Sequence, residues 1–128
     1  MNLNNMLKAR IKAQKPVRVG LIGAGKFGSM ILSQARHIEG ISITAVADLD
    51  IQKTKDSFRR VGWDICNCFA NSADEAVISG KTWLTENTSD IFKIPEIECI
   101  VEATGDPLFG IRHALKAIEN NKHVVMVN

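Results

Sequence analysis

Val17-Arg18-Val19-Gly20-Leu21-Ile22-Gly23-Ala24-Gly25-Lys26-Phe27-Gly28 is the stretch that decides the fold of this 128-residue chain. Its first half is a short apolar run typical of a buried parallel strand, and its second half spaces glycines as Gly-x-Gly-x-x-Gly. In a strand-turn-helix unit, Gly23 permits the tight turn, Gly25 lets a phosphate approach the backbone, and Gly28 lets the helix pack on the strand. Free amide groups and the positive helix pole then meet at one point, which predicts a site for the pyrophosphate of a dinucleotide.

The sequence after this loop supports the same interpretation. Apolar residues recur at helical spacing from Phe27 to a stop at Gly40. A second β-rich run, at 41–47, ends in Asp48, at the distance where dinucleotide-binding units place an acid for the adenosine ribose. A carboxylate there favours NAD, whereas Lys53 and Lys55 in the next helix, which are more simply solvated lysines, would reach the added phosphate of NADP if Asp48 moved aside. The sequence therefore predicts NAD or NADP as the cofactor.

The rest of the chain alternates strands with helices, which predicts an α/β fold of the Rossmann type. Five strands give a doubly wound parallel sheet with right-handed crossovers and the strand order 3-2-1-4-5. Asp50 and Asp106 are expected helix caps, and Ile111, Leu115 and Ile118 are expected on the apolar face of the last helix. The predicted elements are a leading helix at about 2–14, strands at 17–22, 41–47, 82–85, 98–103 and 123–127, a helix that starts at the end of the glycine motif, and helices capped by residue 50, by residue 71 or 72, and by residue 106.

In such a sheet the carboxyl ends of the first and fourth strands are neighbours, so loops distant in sequence should line one crevice. Catalytic residues are not assigned: Glu102 lies in a strand, and His37, His113 and His123 are predicted to be structural and away from the crevice. Met30 and Met126 are expected to fill the core. The candidate cofactor-binding residues are Gly23, Ala24, Gly25, Lys26, Phe27, Gly28, Asp48, Ala103, Thr104 and Gly105.

Composition narrows the function classes. With 16 basic and 14 acidic residues the net charge is +2, which argues against a nucleic-acid-binding protein. No apolar run approaches the length of a membrane span, and three cysteines without regular spacing favour a reducing, cytoplasmic location and no metal site. Residues 79–82 resemble the end of a nucleotide-hydrolysing P-loop, but Glu75 stands where that motif needs glycine.

Taken together, these motifs resemble the amino-terminal domain of the homoserine dehydrogenase-like oxidoreductases, most closely the branch that includes 1-deoxy-D-xylulose 5-phosphate reductoisomerase-like enzymes. The segments that carry the resemblance are 18–30, 46–50, 101–107 and 122–128. It implies an NAD(P)-dependent enzyme that transfers hydride to or from a small polar carbonyl or alcohol. Reductoisomerase-like members use NADPH, and homoserine dehydrogenases place a lysine just after the asparagine that matches Asn128, so the resemblance leaves the substrate open.

Residues 1–128 are accordingly predicted to form an NAD(P)-binding domain, truncated before a substrate domain that carries the catalytic residues. The expected partners are the dinucleotide and, through the missing domain, a small substrate, and self-association into a homo-oligomer is compatible with the sequence. The alternative is a non-catalytic nucleotide-sensing regulatory module, because such modules use the same phosphate loop without chemistry.

Overall fold

A six-stranded parallel sheet with helices packed on it forms the framework of the computed structural model, which describes residues 2–127. The loop that follows each strand at its carboxyl end therefore lies at one edge of the sheet. In chain order the elements are α1 (Leu3–Lys12), β1 (Val17–Ile22), α2 (Lys26–Ala35), β2 (Ile41–Ala47), α3 (Ile51–Arg60), β3 (Phe69–Ala70), α4 (Ala73–Ser79), β4 (Thr82–Thr85), α5 (Thr88–Phe92), β5 (Cys99–Glu102), α6 (Pro107–Glu119) and β6 (His123–Met126).

The sheet has the order β3-β4-β2-β1-β5-β6. This order confirms the predicted Rossmann-type arrangement, because the five expected strands lie next to one another in the predicted order 3-2-1-4-5. The structure adds one strand that was not predicted, β3, which consists of Phe69 and Ala70 and pairs with β4. The segment 82–85 was expected near the sheet edge, and β3 moves it one position inward. A strand of two residues is too short to produce a recognisable alternation, which is why its sequence gives no signal.

The predicted caps hold the helices that border the carboxyl edge. The carboxylate of Asp50 accepts a hydrogen bond from the Lys53 amide at 3.1 Å. Asp106 accepts from the amides of Leu108 and Phe109 at 2.9 and 3.2 Å, and proline occupies the first turn of α6. Each cap satisfies amide groups that a helix start leaves unpaired, so α3 and α6 begin at defined positions beside the crevice.

The core has two parts. One contains the fully buried Leu21, Leu32 and Phe58, and the other contains Ile91 and Ile100. Trp63 packs edge-on against Phe58 at 5.2 Å between ring centroids and donates its indole N–H to the Leu32 carbonyl. Within residues 2–127, no helix combines the length and apolar character needed to cross a membrane.

Two expectations about the core are wrong. Met30 and Met126 are 58% and 43% exposed instead of buried. The sheet-facing residues of α2 are Gly28, Ser29, Leu32 and Ala35, which places Met30 on the outer side, and the helix ends at Ala35 although the pattern suggested a continuation toward Gly40.

The orientation of α6 also differs from the prediction. Its buried positions are Gly110 and Ala117, whereas Ile111, Leu115 and Ile118 are 57–63% exposed. The small residues let the helix approach the sheet closely, so the larger apolar side chains on the neighbouring face point outward. This rotation brings Phe109 and His113 to the crevice.

Candidate functional site

A crevice of about 780 Å³ lies over the carboxyl ends of β1, β2, β4 and β5, at the edge where the sequence predicted it. It brings together side chains and backbone from four loops that are far apart in the chain. A cleft at this point of a doubly wound sheet is the usual ligand position of the fold. Of the predicted site residues, those lining the crevice are Gly23, Gly25, Lys26, Phe27, Asp48, Ala103, Thr104 and Gly105.

The three glycines of the β1–α2 loop meet different constraints. Gly23 has a φ of +94°, and a Cβ there would lie 2.8 Å from the carbonyl oxygen of Ala103. A Cβ on Gly28 would lie 2.1 Å from the Gly23 carbonyl oxygen, whereas a Cβ on Gly25 would meet nothing within 4 Å. Gly23 and Gly28 are therefore needed for the fold, while the open space above Gly25 is available to a ligand.

The carboxylate of Asp48 shapes this loop directly. One oxygen, Oδ2, accepts the amide of Ala24 at 2.8 Å, and the other, Oδ1, accepts the amide of Asp50 at 3.0 Å. Asp48 therefore fastens the phosphate loop to the start of α3. A carboxylate has about four acceptor positions, so two remain for hydroxyl groups of a ligand.

Behind the loop, two buried hydroxyl groups hold the Ala24 carbonyl. Ser57 on α3 donates to it at 3.1 Å and Ser29 on α2 donates at 3.3 Å. Ala24 and Gly28 do not line the crevice themselves, because they lie where the loop contacts α2, α3 and Asp48. Their part in the site is to fix the loop conformation.

The start of α2 provides positive potential. No side chain caps the helix, whose N-cap is Gly25, and its first turn contains no acidic residue. The first-turn amides therefore have no capping partner and face the crevice beside Lys26, the single lysine or arginine among the described lining residues. This combination suits a phosphate group.

On the other side of the crevice lies a buried carboxylate that sequence reasoning left without a role. Glu102 at the end of β5 is fully buried, and its Oε1 accepts the Thr104 amide at 2.9 Å and the Thr104 hydroxyl. Its Oε2 faces Nδ1 of His113 on α6. Glu102 thus ties the β5–α6 turn to the first turns of α6.

The prediction that His113 lies away from the crevice is wrong. Its side chain is 12% exposed and lines the crevice, with its ring stacked on Phe109 at 6.2 Å between centroids and inclined to Phe92 at 6.1 Å. Because Phe109 and His113 are four residues apart, they lie on the same side of the helix. The signal that could have placed them is the pair of small residues, Gly110 and Ala117, which marks the face of α6 that packs on the sheet.

Eight further residues that line the crevice were not among the candidates, and four of them lie on its far rim or on α6. Leu49 is 90% exposed and Phe109 is 50% exposed, and both line the crevice together with Asn87 and Thr88. The segment after β4 carries no motif, and an exposed leucine is ordinary in any sequence. These residues meet at the crevice only because β2 and β4 are neighbours in the sheet and α6 packs on the same sheet.

Comparisons with known proteins identify relatives of the chain in sequence and in fold. Homoserine dehydrogenases from Methylobacillus glycogenes and Pseudomonas aeruginosa are each 30% identical to the chain, over 123 and 115 residues. The matches cover 89% of this chain but 25% and 23% of those proteins, so the chain spans about a quarter of their length. The predicted resemblance to homoserine dehydrogenases is thereby confirmed.

Solved structures with the same fold include myo-inositol dehydrogenase from Lactobacillus casei in complex with NAD(H) and myo-inositol, with a TM-score of 0.65 and 17% identity over 87% of this chain and 28% of that one. Levoglucosan dehydrogenase in complex with NADH has a TM-score of 0.58 and 20% identity over 87% of this chain and 27% of its own. The family model for oxidoreductases with an NAD-binding Rossmann fold, the GFO/IDH/MocA family, matches residues 17–126. The chain belongs to this family of oxidoreductases.

Proposed function

We propose that the chain is the NAD(H)-binding domain of a two-domain dehydrogenase that oxidises a small polar alcohol or reduces the matching carbonyl compound. The observation that carries this proposal is Asp48, which lies in the crevice beside the phosphate loop and keeps acceptor positions for ribose hydroxyls. A second domain would supply the substrate pocket and the catalytic residues, in keeping with relatives that are about four times as long. The 30% identity to homoserine dehydrogenases favours an amino-acid alcohol as the substrate class.

The charges around the crevice favour NAD over NADP. Asp48 would repel a phosphate on the 2′-oxygen of the adenosine ribose, and Lys53 and Lys55 do not line the crevice. Lys26 belongs to the phosphate loop and would face the pyrophosphate, which both cofactors share. Among the described lining residues there is therefore no second lysine or arginine for the extra phosphate.

Calorimetric titration of the chain with NADH and with NADPH tests the cofactor assignment. NADH should bind more tightly, and Asp48→Asn should narrow the ratio of the two dissociation constants by about tenfold, since one uncompensated charge contact contributes on the order of 1.4 kcal/mol. Asp56→Asn is the matched control, because Asp56 is an exposed acid on α3 that contacts Arg59 and Gln52 and does not line the crevice. Tighter binding of NADPH by the wild type would overturn the assignment to NAD.

An activity assay tests the proposal that the catalytic residues lie in a second domain. Mixed with NAD and L-homoserine, the chain alone should produce no NADH above the rate without protein, while still binding the cofactor. Turnover by residues 1–128 themselves would show that the catalytic groups lie within this domain.

A further inference from the structure

The structure assigns a further ligand-binding residue in the crevice: His113, positioned by Glu102, recognises the adenine base of the bound dinucleotide through its Nε2 atom. This inference rests on the proposed function, because it concerns the same cofactor. The inference goes beyond the proposed function because it names a contact with the adenine base. In the proposed function, Asp48 contacts the ribose and the glycine loop contacts the pyrophosphate.

Shared cavity lining connects His113 on α6 with the segment that follows β4. Asp48 follows β2, and the next strand outward on that side is β4, which leads into Asn87 and Thr88. Thr88, Phe109 and His113 line both the crevice and a groove of about 270 Å³ that continues from it between α5 and α6. A ribose held by Asp48 would therefore direct its base toward this group of residues.

The apolar surroundings suit a planar ring. Leu49 and Phe109 line this end of the crevice and are strongly exposed, so neither contributes a buried side chain to the core. Aromatic and aliphatic side chains in a cleft bind a flat base through its faces, and a few polar groups then select its edge. His113, next to Phe109, is the imidazole available for that selection.

The bond to Glu102 sets the chemical character of Nε2. A carboxylate accepts hydrogen bonds, so whenever the imidazole is neutral its proton lies on Nδ1, which faces Glu102 Oε2. Nε2 is then left with a lone pair, and none of the described residues donates to it. At the adenosine end the amino group on C6 of adenine is the N–H donor that such a lone pair can accept.

Deamino-NADH, in which a carbonyl oxygen replaces this amino group, provides the probe. The wild type should bind NADH about fivefold more tightly than deamino-NADH, the effect of one hydrogen bond of about 1 kcal/mol. His113→Asn should bind both equally, because an asparagine amide can still donate to Glu102 from the position of Nδ1 but has nothing at the position of Nε2. His123→Asn is the matched control, since His123 is an exposed histidine at the start of β6 that does not line the crevice.

Glu102→Gln tests the positioning role separately. The glutamine amide would donate to Nδ1, which moves the imidazole proton to Nε2 and turns that atom into a donor. The variant should therefore prefer deamino-NADH, whose carbonyl oxygen accepts, over NADH. The double variant Glu102→Gln/His113→Asn should bind NADH and deamino-NADH equally. If Glu102 acted only by stabilising the turn, the preference caused by Glu102→Gln would not depend on His113.

The outcomes separate the two proposals. If the folded wild type fails to bind NADH at all, the proposed function is wrong. If it binds NADH and His113→Asn keeps the wild-type preference over deamino-NADH, the cofactor assignment stands and the role of His113 is overturned. Thermal unfolding of each variant shows whether it is folded, and if Glu102→Gln does not fold, the comparison between wild type and His113→Asn still decides.

Discussion

Substituting alanine for either of two glycines in the phosphate loop should separate folding from ligand binding. A Cβ on Gly28 would lie 2.1 Å from the Gly23 carbonyl oxygen, so α2 would have to move away from the loop by more than 1 Å to restore an ordinary contact of at least 3.4 Å. Because the obstacle is backbone, it cannot rotate aside. A Cβ on Gly25 meets nothing within 4 Å, and its φ of −75° lies outside the left-handed region that favours glycine.

The expected result for Gly28→Ala is a free energy of unfolding lower by about 1–3 kcal/mol, the range for overpacked sites. Alanine gains about 1 kcal/mol in helix propensity over glycine, so the measured value is the net of both effects. For Gly25→Ala we expect a change within about 0.5 kcal/mol, but NADH affinity should fall at least tenfold, roughly the loss of one charge-assisted hydrogen bond to a phosphate.

Urea denaturation followed by tryptophan fluorescence measures the first quantity, and calorimetric titration with NADH measures the second. Each variant serves as the control for the other, since one site is closed by backbone and the other is open. Gly28→Ala with wild-type stability would refute the packing argument. Gly25→Ala with wild-type affinity would show that the pyrophosphate does not approach the loop at this glycine.

Three further predictions concern stability away from the crevice. Phe58→Ala should lower the free energy of unfolding by about 3–5 kcal/mol in urea denaturation, because the ring is fully buried. Burial lowers the pKa of Lys122 below its ordinary value of 10.5, with a nearby acidic side chain opposing the shift. Since the unfolded chain then binds more protons, unfolding measurements should show stability rising with pH from the lowered folded pKa up to about 10.5, and Lys122→Met should abolish that rise. The exposed pair of Arg10 with Glu98, 2.8 Å apart, should contribute at most about 1 kcal/mol in a double-mutant cycle, and less in high salt.

Much of the site could be predicted from the sequence because its parts have local signatures. Gly28 is required by a contact within one strand-turn-helix unit, Gly23 by the positive φ of its tight turn, and Asp48 follows directly on a strand. The turn at 103–105 was found in the same way, from the end of an apolar run. Parallel strands then bring these ends to one edge, so the crevice follows from the topology alone.

His113 and its neighbours could not be found by that route. Their placement depends on which face of α6 meets the sheet, and the sequence offers two: the large apolar residues Ile111 and Leu115, or the small residues Gly110 and Ala117. Hydrophobic periodicity favours the first, but the structure uses the second because small residues permit close packing. Because the prediction used the wrong face of α6, it placed His113 away from the crevice.

The contacts of Asp48 connect cofactor choice with loop shape. A carboxylate at this position is usually discussed as a partner of the ribose, yet here both of its oxygens accept backbone amides, one from Ala24 and one from Asp50. A chain that replaced Asp48 to admit the phosphate of NADP would also lose the acceptor that holds its phosphate loop against α3. Adapting this site to NADP therefore requires two changes, a cation for the new phosphate and a new acceptor for the Ala24 amide, because a single substitution at position 48 weakens the site for both cofactors.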